Sequence, residues 1–219
     1  MGKKVTKKKA SISKKGTKKK RKKLKKSIRN RLILFGALVL LLFGGIRLYQ
    51  AWTLHVEQEA FEKANHTEFI EIVGNSARRI AGENDLYASV MVAQAILESD
   101  WGKSQLTKEA NNLFGVKGEY HGESYQIETK EDDGTGKLYT VMADFRKYPT
   151  YHRSLEDNAS LLKNGVSWDS DYYAGAWKSR TKSYQDATAY LQGRYATDTH
   201  YASKLNALIE QYHLTRFDE

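Results

Sequence analysis

Hydrophobic and polar positions divide the chain into stretches of different character. From Leu32 to Ile46 fifteen residues run without a charge, and Leu48, Tyr49, Ala51 and Trp52 extend the apolar run around Arg47. Counted through Trp52 the run is 21 residues long, within the roughly 17 to 25 that cross a bilayer as a helix. From Leu54 to Asn65 the apolar residues Leu54, Phe61 and Ala64 are too sparse for a core of their own, so 53–66 is expected to be a helical spacer. A helical period then takes over. Phe69, Ile70, Ile72, Val73, Ala77 and Ile80 recur from a Thr67 N-cap to Gly82, and Leu86, Val90, Ala93 and Leu97, widened by Val92 and Ile96, predict a buried helix over about 85–98.

Between Glu123 and Ala143 the pattern changes again. Residues 124–129 and 137–142 flank the turn-rich Asp132-Asp-Gly-Thr-Gly136, which predicts a β-hairpin with a polar tip. After Pro149, the chain's one proline, helices are expected at roughly 150–164, 170–177, 183–192 and 199–212. No internal repeat is visible. Helices on both sides of a small β-lobe make an α+β class, mainly helical and lysozyme-like in arrangement, preceded by one N-terminal transmembrane helix.

The 219 residues carry a formal net charge of +10, a balance that would ordinarily raise nucleic acid as a partner. Its distribution argues otherwise. Residues 1–31 hold 17 of the 36 Lys and Arg and none of the 26 Asp and Glu, so 32–219 carry 19 basic against 26 acidic residues, a net −7. A run such as Lys18–Lys26 has too little apolar surface to offset the entropy of ordering, so 1–31 is expected to be a disordered tail. Lysines concentrate on the cytoplasmic side of a membrane segment, which orients the tail inside, beside anionic lipid, and everything from about 53 outside. A cleaved signal peptide is the competing possibility. A basic region of 31 residues is long for one and no small-x-small cleavage site follows, which favours an uncleaved anchor at 32–52 and an external domain at 67–219. The chain has no cysteine, so that domain relies on its core rather than on disulfides.

Candidate chemistry centres on Glu98, which ends the second apolar helix and enters the turn Ser99-Asp-Trp-Gly102. A carboxyl group between Leu97 and Trp101 is desolvated, which disfavours its charged form and lets it keep a proton near neutral pH. The run Gln94-Ala-Ile-Leu-Glu-Ser-Asp-Trp-Gly102, followed by Asn111-Asn-Leu-Phe-Gly115, resembles the glucosaminidase family of peptidoglycan hydrolases, glycoside hydrolase family 73. The resemblance continues through Phe145-Arg-Lys-Tyr148, Tyr195-Ala-Thr-Asp198 and Tyr201-Ala-Ser-Lys-Leu205, and covers roughly 65–217. Asp100 departs from the family pattern, which often has a small residue there.

The resemblance implies an endo-β-N-acetylglucosaminidase acting on peptidoglycan glycan strands at the cell wall, with no cofactor and no metal. Glycosidic cleavage usually takes two carboxyl groups, one protonating the leaving oxygen and one assisting at the anomeric carbon. Glu98 is the expected acid. For the second, Glu128, Glu131, Asp132 and Asp133 are all available in the hairpin; a Thr-x-Glu element of the family matches Thr129-Lys-Glu131 and selects Glu131, with Asp132 as the substitute. Trp101, Asn111, Asn112, Phe114 and Tyr195 are the candidate substrate-binding residues, although aromatic residues at such positions serve equally as core and the asparagines as turn stabilisers. Muramidase or lytic transglycosylase action on the same polymer, and non-catalytic wall binding, stay open as alternatives. His55, His66, His121, His152, His200 and His213 show no metal-ligand spacing, and Ser99 sits in no Gly-x-Ser-x-Gly elbow.

Overall fold

A computed structural model describes residues 38–56, 58–61, 64–132 and 138–219, together with 26, 32, 35 and 36. Apart from Lys26 the basic tail expected over 1–31, and with it the hairpin tip at 133–137, lie outside the described residues.

Two units are distinguished, up to His55 and from Val56 onward. An apolar helix, α1 (Leu38–Phe61), is 24 residues long; its most apolar window has a mean hydropathy of 1.2 and no buried residue. By length and composition alone it meets the requirement for crossing a bilayer.

In the second unit, Phe61 is buried: its ring stacks on Tyr151 at 4.4 Å and meets Phe69 at 5.4 Å. Helix α2 (His66–Glu83) is capped by Asn65 rather than by the expected Thr67. The Asn65 side chain accepts from the Thr67 and Glu68 N–H groups while the Glu68 carboxylate accepts from Asn65 N–H, a reciprocal box that satisfies donors Thr67 could not reach from inside the first turn. Its stripe Phe69, Ile70, Val73, Ala77 and Ile80 is buried against α3 (Ala88–Ser99). Each fully buried Phe, Ile or Val side chain among them contributes roughly 1.5–3 kcal/mol. Gly74 lies directly under the Phe217 ring, where a Cβ would collide.

Helix α3 is the centre of the body, packed by α2, by two later helices at Tyr184–Leu191 and Tyr201–Gln211, and by the C-terminal turn Leu214–Phe217. It starts three residues later than its periodicity predicts. Asp85 adopts a left-handed conformation (φ 60°), and its carboxylate accepts from the Ser179 N–H and hydroxyl and pairs with Lys163, so it ties a distant loop to the body. A short helix the periodicity does not reveal, α4 (Gln105–Ala110), follows.

The β-lobe is one antiparallel pair, β1 (Ser124–Asp132) and β2 (Leu138–Arg146), in register from Ser124 opposite Arg146 to Asp132 opposite Leu138. The second strand runs four residues beyond the expected 142 because Ala143–Arg146 pair with 124–127. Then come α5 (Tyr151–Asn164), capped by Thr150, α6 (Tyr184–Leu191), capped by Ser183, and α7 (Tyr201–Gln211). The helix expected at 170–177 is absent. Two 3-10 turns, Ala174–Ala176 and Lys178–Arg180, stand there, and Gly175 lies against the Tyr190 ring with no room for a side chain. A last 3-10 turn, Leu214–Phe217, closes the body. The result is a mostly helical body with a two-stranded antiparallel lobe, consistent with a lysozyme-like fold.

Candidate active site

Three consecutive left-handed residues, Asp100 (φ 50°), Trp101 (φ 59°) and Gly102 (φ 75°), stop α3 abruptly after Ser99. The Ser99 hydroxyl donates to Ala95 C=O at 2.5 Å and accepts from Gly102 N–H at 2.8 Å, which fixes that reversal. Glu98 therefore occupies the last-but-one position of a rigid, buried helix, itself half-buried.

Its carboxyl group is held from α7. The Tyr201 hydroxyl donates to Glu98 Oε1 at 2.9 Å, and Gln94, one turn earlier on α3, donates from Nε2 to the Tyr201 oxygen at 3.1 Å. A phenol carries one hydrogen. With the amide occupying a lone pair of the oxygen, that hydrogen goes to Oε1, so Oε1 acts as acceptor and the transferable proton of the acid form belongs on Oε2. Gln94 is fully buried and its Oε1 has no partner. Burial pushes the Glu98 pKa above the ordinary carboxylate range; the Tyr201 bond pulls it partly back, and the negative charge of Asp198 raises it again. Asp198 itself is kept ionised, its pKa lowered by Lys204 at 2.6 Å and by the His200 N–H.

Tyr195 stands next to this pair. Its ring lies 6.0 Å from that of Tyr201, nearly parallel, and its hydroxyl points to Phe114 C=O at 3.3 Å and Asn158 Oδ1 at 3.2 Å. Burial, reinforced by the charge of Glu98, raises the pKa of its phenol well above the usual value, so it remains a neutral donor. Asn158 is fully buried with an unpartnered Nδ2. Its neighbour Asp157 accepts from Arg146 at 2.6 Å and from the Tyr148 hydroxyl at 2.7 Å, which joins α5 to the end of β2.

The other candidates have different surroundings. Trp101 is half-buried and packed within the body: His66 stacks on it at 3.7 Å, and Phe69 and Tyr212 make T-shaped contacts with it. Asn111 is the left-handed cap of α4 and donates to Tyr148 C=O. Asn112 is buried, donates to Val116 and Arg146 carbonyls and accepts from Phe114 and Val116 N–H groups, so it has no capacity left for a sugar and instead holds the turn. Phe114 is a core residue that contributes its carbonyl to Tyr195. Glu131 lies in β1 opposite Tyr139; its side chain, that of Asp132, and all of Asp133 lie outside the described residues.

Two residues of the acid's setting, Gln94 and Tyr201, were not among the candidates. The spacing of Gln94 and Glu98, four apart on one helix face, was the available signal for the first. Nothing local pairs Tyr201 with a residue 103 positions earlier. Among the described residues no cluster of three or more His, Asp or Glu could hold a metal ion.

Comparison with known proteins bears on this geometry. Residues 74–214 match the family model described as mannosyl-glycoprotein endo-beta-N-acetylglucosaminidase. The chain is 54% identical over 155 residues to the autolysin of Enterococcus faecalis, and 50% identical over 151 residues to a probable N-acetylmuramidase of Lactococcus lactis. These alignments take in 69% and 68% of the chain but only 21% and 34% of the relatives, so the chain matches about a fifth to a third of their length. The crystal structure of the catalytic domain of the autolysin Auto from Listeria monocytogenes superposes with a TM-score of 0.66 at 54% identity, over 70% of this chain and 87% of that one.

Proposed function

The chain belongs to the glucosaminidase family of glycoside hydrolases, and from that premise we propose that it is a membrane-anchored peptidoglycan hydrolase, an endo-β-N-acetylglucosaminidase in which Glu98 is the general acid. The observation that carries the assignment is the Glu98 carboxyl group: half-buried at a helix end, raised in pKa, and held through one oxygen by Tyr201 so that the other is free to deliver its proton.

In the proposed reaction Oε2 of Glu98 protonates the glycosidic oxygen as the bond to the anomeric carbon breaks, and positive charge develops on the sugar ring. Water supplies the new C–O bond and loses its proton to a second carboxylate, for which Glu131 in the β-lobe is proposed, with Asp132 as substitute. Alternatively the acetamido oxygen of the substrate attacks first and the protein stabilises the cyclic intermediate. The neutral Tyr195 hydroxyl is proposed to donate toward the reacting sugar, released from its two long contacts.

Anchoring is supported by the apolar helix α1 and by the strongly basic, acid-free residues 1–31, which favour a cytoplasmic N-terminus and a catalytic domain facing the wall. The family model is the ground for choosing the glucosaminidase bond; the printed name of the Lactococcus relative favours the muramidase bond.

Mass spectrometry of fragments released from purified peptidoglycan by the full chain in detergent decides between them. New reducing ends on N-acetylglucosamine are expected; ends on N-acetylmuramic acid would make the chain a muramidase, and anhydro-muramic ends a lytic transglycosylase. Glu98→Gln is expected to lower the rate by about 10²- to 10⁴-fold. Undiminished digestion by that variant would remove Glu98 from the reaction.

A further inference from the structure

Beside the β-lobe lies a second concavity that the hydrolytic mechanism leaves unused. A hollow of about 340 Å³ is lined by Tyr120, His121, Glu123, Lys147, Tyr148 and Pro149, at the small end of the ~300–1,000 Å³ typical of ligand pockets. Its walls are preformed. Tyr120 and Glu123 exchange both backbone hydrogen bonds (2.9 and 3.0 Å) across His121 (φ 51°) and Gly122 (φ 84°), a tight two-residue turn, and Lys147 N–H ties that turn to β2 through Glu123 C=O. The Tyr148 ring is buried, meets Tyr120 at 4.8 Å, and is fixed by its hydroxyl to Asp157.

The rim has charges of both signs. Lys147, His121 and Glu123 are exposed, and among the described residues neither the lysine nor the glutamate side chain has an ion pair or hydrogen bond. A neutral glycan calls for amide and hydroxyl donors around an aromatic plate, yet the hollow has no Asn, Gln, Ser or Thr in its lining. Apolar walls with separated cationic and anionic groups instead complement a short peptide that has carboxylates, an amine and methyl side chains. The hollow is also linked to the acid through contacts: Tyr148 donates to Asp157, the next residue Asn158 accepts from Tyr195, and the Tyr195 ring lies beside that of Tyr201, which donates to Glu98.

We propose that this hollow is a subsite for the peptide stem of peptidoglycan, with Lys147 and His121 facing its carboxylates, Glu123 its amine, and Tyr120, Tyr148 and Pro149 its alanyl side chains. The proposal rests on the peptidoglycan assignment above and adds a substrate preference to it: strands that retain their stems are cleaved in preference to bare glycan.

Two measurements on the full chain in detergent separate the two claims. The free peptide L-Ala-γ-D-Glu-L-Lys-D-Ala, titrated and followed by calorimetry, needs no catalysis; saturable binding that disappears in Lys147→Glu and weakens in Tyr120→Ala is expected, and absence of saturable binding at millimolar peptide overturns the subsite. Hydrolysis of stem-bearing strands is then compared with the same strands stripped of stems by an amidase. A higher kcat/KM on the stem-bearing strands is expected, with Lys147→Ala and Glu123→Ala each reducing that advantage about two- to fivefold and leaving turnover of stripped strands unchanged. Equal rates on both substrates in the wild type, or equal slowing of both in the variants, would overturn the proposal. Peptide binding without cleavage of either strand would retain the subsite and remove the hydrolase assignment instead.

Discussion

Replacing Tyr201 by phenylalanine removes one oxygen and isolates the hydrogen bond that orients the Glu98 carboxyl group. Two groups lose a partner: Glu98 Oε1, which accepts at 2.9 Å, and Gln94 Nε2, which donates at 3.1 Å. A hydrogen bond to an ionised acceptor contributes about 1.5–3 kcal/mol and one to a neutral acceptor about 0.5–1.5. The ionised form of Glu98 therefore loses roughly 1–1.5 kcal/mol more than the protonated form. At about 1.4 kcal/mol per tenfold change, the high-pH limb of kcat/KM should move upward by about one pH unit. The rate at the optimum should also fall, because the proton is no longer confined to Oε2. The second loss is paid in stability: a buried amide without partners costs about 1–3 kcal/mol, equivalent to a Tm lower by roughly 3–10 °C for a domain of this size. Initial rates on stem-bearing glycan, measured across the pH range well below the lowered Tm, give the first quantity, and thermal unfolding gives the second. A high-pH limb that stays in place, or moves down, would refute the hydrogen-bond direction assigned here. Adding Gln94→Leu to Tyr201→Phe should recover most of the stability and none of the pH shift, since both members of the buried pair are then apolar.

Neutralising Asp198 should act in the opposite sense. Its charge raises the Glu98 pKa, so Asp198→Asn is expected to move the high-pH limb of activity downward, more at low ionic strength than at high, as initial rates at two salt concentrations would show. Asn112→Ala removes four hydrogen bonds from a buried turn and should cost at least about 3 kcal/mol, read as a lower midpoint in chemical unfolding. Gly74→Ala drives a methyl group into the Phe217 ring and should destabilise by roughly 1–3 kcal/mol in the same assay, with the pH profile unaltered.

What was legible in the sequence follows the range of the forces involved. Helices α2, α5 and α6 are held by their own apolar stripes and by caps within three residues, so periodicity finds them to within a few positions. The start of α3 is set by Asp85 reaching a loop 94 residues away, and the 3-10 turns that replace the expected helix at 170–177 are tied by Lys178 N–H donating to Asp85 C=O and the Trp177 indole N–H to Leu162 C=O; none of these partners is local. The same division runs through the site. Glu98 is visible because a linear motif surrounds it, whereas the Tyr201 hydroxyl and the Asp198 charge reach it only through the tertiary fold. Asn112 illustrates the converse: a residue of the right type in the right motif, whose hydrogen-bonding groups the fold itself uses, while Trp101 is stacked on by His66.

The left-handed turn at Asp100–Gly102 also sets the electrostatic surroundings of Glu98. By ending α3 directly after Glu98 it places a carboxyl group where unpaired helix carbonyls carry roughly half a negative charge, a position that ordinarily favours lysine or arginine. The helix dipole and burial both favour the proton, so the folded state holds it more tightly than the unfolded chain. For a carboxyl group raised in this way, the stability present at acid pH is lost as pH rises from the unfolded to the folded pKa. At neutral pH the acid is thus a thermodynamic weak point of the domain. Glu98→Gln, the variant expected to slow the reaction most, should be the more stable protein at neutral pH.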